Sequence, residues 1–138
     1  MPGRGIVIAS WAGDALFVVT AIPATVGVDA LDDVAIATAL ALFAVSLVIW
    51  TWAFGVAVVR SAHGDDVVVG SMFFTVGGAP ARVRWHLFGA LGVSVAVAAG
   101  TAAAEPFGVL VPMLPLGLIG LWAAKHGTFP ARRGPPDR

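Results

Sequence analysis

The sequence predicts an all-α integral membrane protein, a bundle of four antiparallel transmembrane helices. The first observation is an uncharged run of 26 residues from Val34 to Val59, because about 20 helical residues cross a hydrocarbon core of roughly 30 Å. The second is that 59% of the 138 residues are hydrophobic and 12% are charged, whereas about 25% are charged in soluble domains. The third is that acidic and basic residues are sorted between alternate connections. These observations leave no room for a separate soluble domain.

The first two helices are predicted over residues 5–28 and 34–59. The first is an apolar run that follows Arg4 and contains Asp14, with Pro23 near its far end. A short acidic turn follows and leads into the second helix, which is the uncharged run itself. Arg60 is the first charge after that run and marks its predicted end.

One substantial loop is predicted over residues 60–84. Its segment from Val67 to Val76 is apolar and rich in β-branched residues, but it is too short to cross a bilayer. Three conformations fit this segment: a pair of short strands, a segment lying on the membrane surface, or a flap folded under the bundle. Gly77, Gly78 and Pro80 end it.

The third and fourth helices are predicted over residues 85–104 and 107–124, separated by a tight break. Pro112 and Pro115 fall inside the fourth helix. Neighbouring helices satisfy the carbonyls that a proline frees in a membrane, so we expect a kink there. The remaining residues, 125–138, form a polar, basic and Pro-rich tail that is predicted to be flexible.

Charge sorting predicts the orientation of the bundle. With four crossings, every basic residue lies on one side of the membrane, and the two connections on the other side carry only acids. Because basic residues stay cytoplasmic, both termini and loop 60–84 are predicted to face the cytoplasm. Trp85 and Trp122 are then predicted to lie at the cytoplasmic interface, in an aromatic belt. The basic residues are Arg4, Arg60, Arg82, Arg84, Lys125, Arg132, Arg133 and Arg138, and the acids opposite are Asp29, Asp32, Asp33 and Glu105.

Small residues indicate where the helices pack, since association in lipid depends on close backbone approach. Gly92, Ala96 and Gly100 are spaced four apart on one face of the third helix, and Gly117 and Gly120 lie on the fourth. We expect these residues to pack within the chain rather than to form a dimerisation face.

Asp14 is the only charged residue inside a predicted span. An aspartate at the centre of a span costs about 2.5–3.5 kcal/mol on insertion scales, so something should compensate for it. It could be a proton or cation site facing the bundle interior, or a packing contact hydrogen-bonded to a neighbouring helix, for example to Ser46 or Thr51. A third interpretation is that the helix starts late and Asp14 reaches the headgroups.

Five other residues are predicted to form a cytoplasmic contact surface: His63, Asp65, Asp66, Lys125 and His126. Their spacing matches no established ligand pattern, so we expect no metal site. The sequence also lacks a nucleophile elbow, a phosphate loop and a zinc-protease motif, and its lack of cysteine excludes thiol chemistry. We therefore expect a non-enzymatic protein without a cofactor.

Two stretches resemble a group of small four-helix integral membrane proteins of unknown function from actinobacteria. They are FGVLVPMLPLGLIGLWAAKHGTFPARR, residues Phe107 to Arg133, and GDDVVVGSMFF, residues Gly64 to Phe74. The resemblance implies a bacterial inner membrane and a cytoplasmic C-terminus, and it implies no activity. Small multidrug-resistance transporters are also four-helix chains with one carboxylate in the first helix, but they have a glutamate and short loops.

The leading functional prediction is a structural or accessory component of the bacterial inner membrane. The expected partners are the lipid bilayer and either another membrane protein or a second copy of the chain, with no nucleic acid. The alternative is a small proton-coupled transporter or channel that works as a homo-oligomer, with Asp14 as its coupling residue.

Overall fold

A computed structural model of the chain describes residues 3–27, 29–104 and 106–131. In these ranges the chain is helical and has no strand apart from one isolated bridge. Four helices, each between 21 and 31 residues long, are long and apolar enough to cross a membrane, which confirms the predicted fold class; their antiparallel order stays a prediction. The α-helices are α1 Arg4–Thr25, α2 Asp32–Ala62, α3 Val69–Phe73, α4 Ala81–Thr101 and α5 Met113–His126, and the four candidate spans are α1, α2, α4 and Pro106–His126.

Helix α5 lies at the centre of the bundle. Of the most apolar 18 residues of the span Pro106–His126, which contains α5, 67% are buried, compared with 17% for α2. Gly117 and Gly120 allow this position, because each lies directly against an aromatic side chain of another element. The expectation that these two glycines pack within the chain is confirmed. The longest uncharged run of the sequence, in α2, therefore lies mostly on the outside.

The two prolines of the last span do not interrupt an α-helix. Pro112 is the N-cap of α5 and Pro115 lies in its first turn, where a backbone N–H has no acceptor inside the helix and its loss costs little. A 3₁₀ segment, Pro106–Leu110, leads into this start. The predicted kink inside the helix is therefore wrong, and the prolines mark the beginning of α5.

The connection between α2 and α4 is a flap folded against the bundle. It contains α3 and a 3₁₀ turn, Val76–Gly78. Met72 and Val76 are fully buried and belong to the same apolar core as Ile119 and Trp122 of α5. Of the three conformations that fit the sequence, the structure has the third. α2 extends to Ala62 and α4 begins at Ala81, so the connection is shorter than predicted.

The two tryptophans of the predicted aromatic belt differ in exposure, and the position of Trp85 at a membrane interface stays a prediction. Trp85 is 79% exposed on the outside of α4, as a residue facing a membrane interface would be. Trp122 is 1% exposed and lies in the core. Its predicted interfacial position is wrong, because α5 is the central helix and this face of it points into the bundle.

The predicted packing seam of α4 faces outward. Gly92, Ala96 and Gly100 are exposed, and a Cβ atom built at either glycine would meet nothing within 4 Å. The buried face of α4 instead carries small residues such as Ala90 and Ala98. The prediction of intrachain packing for this seam is wrong, because α4 has small residues on several faces and their spacing alone does not select the buried one.

Candidate functional site

Asp14 lies on the inner face of α1 and is 3% exposed. Neither of its carboxyl oxygens has a hydrogen-bond partner among the residues that the structure describes. Ser10, one turn earlier on the same face, and Ser94 on α4 are also buried, and both of their hydroxyls lack a partner. These three residues, the inner polar cluster, carry four unpartnered oxygen atoms on the buried faces of α1 and α4.

The side chain that faces Asp14 comes from α4 rather than from α2. Ser94 lies close enough to interact with the carboxyl group, although no hydrogen bond of normal geometry joins them. Thr51 and Ser46 of α2 instead donate to carbonyls of their own helix, those of Leu47 and Phe43. The suggested contact between Asp14 and α2 is therefore wrong.

Sequence reasoning missed both serines of the inner polar cluster. Ser10 could have been found, because residues four apart on a helix share a face. Ser94 could not, because no local signal says which face of α4 meets α1. The structure thus adds two serine side chains to the single carboxylate that the sequence predicted.

The chemistry of this cluster is that of a small oxygen-lined site. Carboxylate and hydroxyl oxygens are ligands for hard cations, and a carboxyl group inside a membrane marks proton or ion pathways. Each unsatisfied buried polar group costs about 1–3 kcal/mol. A proton, a cation or a water molecule bound to the cluster would reduce that cost, so binding of any of them would be favourable.

A second polar site joins the end of α2 to the end of α5, and Arg60 organises it. Its Nε donates to Asp65 Oδ2 at 2.8 Å, while Nη1 donates to the carbonyls of Ala124 at 3.1 Å and Gly127 at 2.7 Å. The guanidinium also lies 4.9 Å from the centroid of the Phe129 ring. Arg60 thereby donates to carbonyls at the C-terminal end of α5, for which the helix itself provides no N–H donor. The sequence identified Arg60 only as the end of a span and as one of the basic residues that predict the orientation.

The described part of the tail is held against the flap. The backbone N–H of Thr128 donates to the carbonyl of Gly77 at 2.7 Å, and that of Asp66 donates to Pro130 at 2.8 Å. Residues 127–131 therefore differ from the flexible tail that was predicted. Residues 132–138, with Arg132, Arg133 and Arg138, lie outside the described ranges, as does Glu105.

The five residues of the predicted contact surface have separate neighbours. Asp65 pairs with Arg60, and the exposed His63 ring lies against the carbonyl of Val59. Asp66 is exposed, with its backbone N–H on the tail. The other two lie in the last turn of α5: Lys125 has its Nζ 4.6 Å from the Trp52 ring centroid, and His126 lies beside Trp122. In the described part of the chain no three His, Asp or Glu side chains come together as metal ligands would.

An exposed aromatic groove lies where the flap meets the first turns of α4. Phe74, just after α3, is 81% exposed, and Trp85 and Phe88 of α4 lie beside it with Arg84. The groove has a volume of about 310 Å³. We call these four residues the aromatic groove.

The fold defines a class, an all-helical protein with four helices that are long and apolar enough to span a membrane. No protein-family model, no curated protein and no solved structure matches the chain. The resemblance to actinobacterial four-helix proteins stays a prediction.

Proposed function

We propose that the protein is a non-enzymatic accessory or structural component of the bacterial inner membrane that binds another membrane protein. The observation that carries this proposal is the aromatic groove. Phenylalanine, tryptophan and arginine are enriched at the centres of protein interfaces, and an exposed apolar patch rimmed by charge marks an interaction site. In the predicted orientation, the groove lies at the cytoplasmic ends of the spans.

The position of Phe74 favours a protein partner over lipid alone. An exposed Trp85 on a span is explained by an interfacial aromatic belt. Phe74 belongs to the flap rather than to a span, and a belt does not require it. Its ring is exposed beside Trp85 and Phe88, so a partner side chain could insert between elements that are already fixed by Met72 and Val76 of the core.

Purification in mild detergent tests this proposal, with mass spectrometry of co-purifying proteins and a measured particle mass. We expect a stoichiometric heterologous protein with the wild type, and its loss when Phe74→Ala and Trp85→Ala are combined. Phe107→Ala is the matched control, because Phe107 is exposed outside the groove. Point changes are preferable to deleting residues 67–76, since deletion would also remove the buried Met72.

Two results would contradict the accessory proposal. Equal retention of the partner by the double variant would exclude the aromatic groove as its binding site. A homo-oligomer with no heterologous protein would exclude the accessory role itself and favour transport.

The second candidate function is a small proton-coupled transporter or channel that acts as a homo-oligomer. The inner polar cluster favours it, because Asp14 is buried inside a candidate span with both oxygens unpartnered. Asp14→Asn keeps the shape of the side chain and removes its titratable group. We expect this variant to lose proton-coupled flux in proteoliposomes, measured with an enclosed pH-sensitive dye, while its thermal unfolding stays near that of the wild type. Flux that persists in Asp14→Asn would rule out this mechanism.

A further inference from the structure

A groove of about 730 Å³ lies between the beginnings of α1 and α4. Its outer end is basic and is formed by Arg4 of α1 with Arg82 and His86 of α4. The His86 ring meets Trp11 edge to face, with ring centroids 6.4 Å apart. Apolar α1 side chains, Ile8 among them, line the part of the groove nearer the middle of the span.

The positive charge of this groove is not neutralised by the described residues. The ion pair found in the described ranges joins Arg60 and Asp65, where α2 ends. Arg4 and Arg82 are exposed, and neither forms an ion pair with an acid of the described residues. Neither α1 nor α4 has a side-chain N-cap or an acid in its first turn, so the positive ends of both helix dipoles add to the field.

We propose that this groove binds the phosphate group of an anionic phospholipid. Two guanidinium groups can grip phosphate oxygens with paired hydrogen bonds, and the nearby helix N-termini favour an anion. Basic pockets between transmembrane helices recognise anionic headgroups in this way. The groove lies at the ends of two candidate spans, the level at which headgroups lie.

The apolar part of the groove distinguishes a lipid from free phosphate. Arg4, Ile8 and Ala12 are spaced four apart, so they follow one face of α1 from its charged end toward the middle of the span. A phosphate held at Arg4 would place an attached acyl chain along Ile8 and Ala12. Inorganic phosphate would leave this surface unused. The inference does not depend on either proposed function.

Native mass spectrometry of the detergent-purified full chain tests the proposal, with phosphatidylglycerol or phosphatidylcholine added at matched concentrations. We expect the wild type to retain phosphatidylglycerol in preference to phosphatidylcholine. Each arginine near a charged surface is worth about a fivefold change in binding, so Arg4→Gln with Arg82→Gln should weaken retention about thirtyfold. Arg84→Gln is the matched control, because Arg84 is an exposed arginine on the same helix that lines the aromatic groove instead.

Three results would overturn the proposal. Equal loss of phosphatidylglycerol in Arg84→Gln would show a general effect of surface charge. Equal retention of the two lipids would exclude the anionic headgroup as the ligand, and displacement by an equal concentration of inorganic phosphate would identify free phosphate instead.

If the double variant loses its helical circular dichroism signal, Arg82→Lys replaces it as the test variant. Lysine keeps the charge but cannot form the paired hydrogen bonds of a guanidinium group. Unchanged retention of phosphatidylglycerol by Arg82→Lys would contradict the proposed grip.

Discussion

At the scale of single residues, a close approach of two backbones joins the flap to the end of α5. Three successive residues, Val76, Gly77 and Gly78, have positive φ values of 50°, 61° and 75°. A Cβ atom built on Gly77 would lie 2.7 Å from the Cα of Gly127. Neither backbone can yield cheaply, because Thr128 donates to the carbonyl of Gly77 at this crossing. Glycine is therefore required at position 77 for both conformation and space.

We predict that Gly77→Ala destabilises the folded chain by about 2–5 kcal/mol, the sum of the cost of a left-handed backbone and the cost of an overpacked contact. Thermal or SDS-induced unfolding in detergent micelles would measure the change. Gly64→Ala is the control, because Gly64 also has positive φ but has no neighbour within 4 Å of its Cβ position. That variant should lose about 1–2 kcal/mol. Equal losses in the two variants would refute the role of the backbone crossing.

The sequence predicted a candidate site residue where its chemical character alone identified it, but it did not predict which residues lie beside it. Asp14 stands out as the charge within a span, and burial at 3% agrees with a carboxyl group that faces the interior. Its neighbour Ser94 was not readable, since that contact depends on how α1 and α4 are rotated about their axes. The same limit applies to Arg60, whose carbonyl acceptors, those of Ala124 and Gly127, lie more than 60 positions further along the chain.

At the scale of elements, α2 and α5 are held together by aromatic rings laid over glycines. The Trp50 ring stacks on Phe73 with centroids 5.1 Å apart, and its Nε1 donates to the carbonyl of Met113 at 3.0 Å. A Cβ atom on Gly117 would lie 2.9 Å from the Trp50 ring, and one on Gly120 would lie 2.7 Å from the Phe73 ring. The two glycines of α5 have no side chain, and the rings of Trp50 and Phe73 fill the space that this leaves.

We predict that Gly120→Ala destabilises the bundle by about 1–3 kcal/mol, the usual cost of an extra methyl group in a filled core. The ring of Phe73 cannot swing away freely, because Trp50 stacks against it. Gly92→Ala on α4 is the matched control, since a Cβ there meets nothing within 4 Å and should leave monomer stability unchanged. Micelle unfolding of both variants would compare them, and equal stability of Gly120→Ala and wild type would contradict this account.

The presence of the helices could be predicted from the sequence, but the face that each helix turns toward the core could not. The uncharged runs identify four spans because length and hydropathy are properties of a single segment. The buried face of each span depends on its neighbours, and α4 offers small residues on both its outer face, at Gly92, and its inner face, at Ala90. Trp122 shows the same limit, since a tryptophan near the end of a span fits either an interfacial belt or the core of a central helix.

At the scale of the whole molecule, the orientation of the bundle in the membrane is the prediction with the widest consequences. The spans separate eight basic residues from the acidic connections, and basic residues are retained in the cytoplasm. This orientation puts the aromatic groove, the Arg60 site and the basic groove at Arg4 and Arg82 on one face. A partner and an anionic lipid would then act from the same side.

The absence of cysteine from the chain makes this orientation directly measurable by single-cysteine labelling. We predict that Ala30→Cys, in the acidic connection before α2, reacts with a membrane-impermeant maleimide in intact spheroplasts. Ala62→Cys, at the other end of α2, should react only after lysis, and both positions are exposed, so access to reagent should depend on the side of the membrane. If only Ala62→Cys reacts in intact spheroplasts, the orientation is the opposite of the predicted one. Partial reaction of both variants would mean that the chain inserts in both orientations. The second outcome would also weaken the accessory proposal, because a groove displayed on both sides could meet a cytoplasmic partner in only part of the molecules.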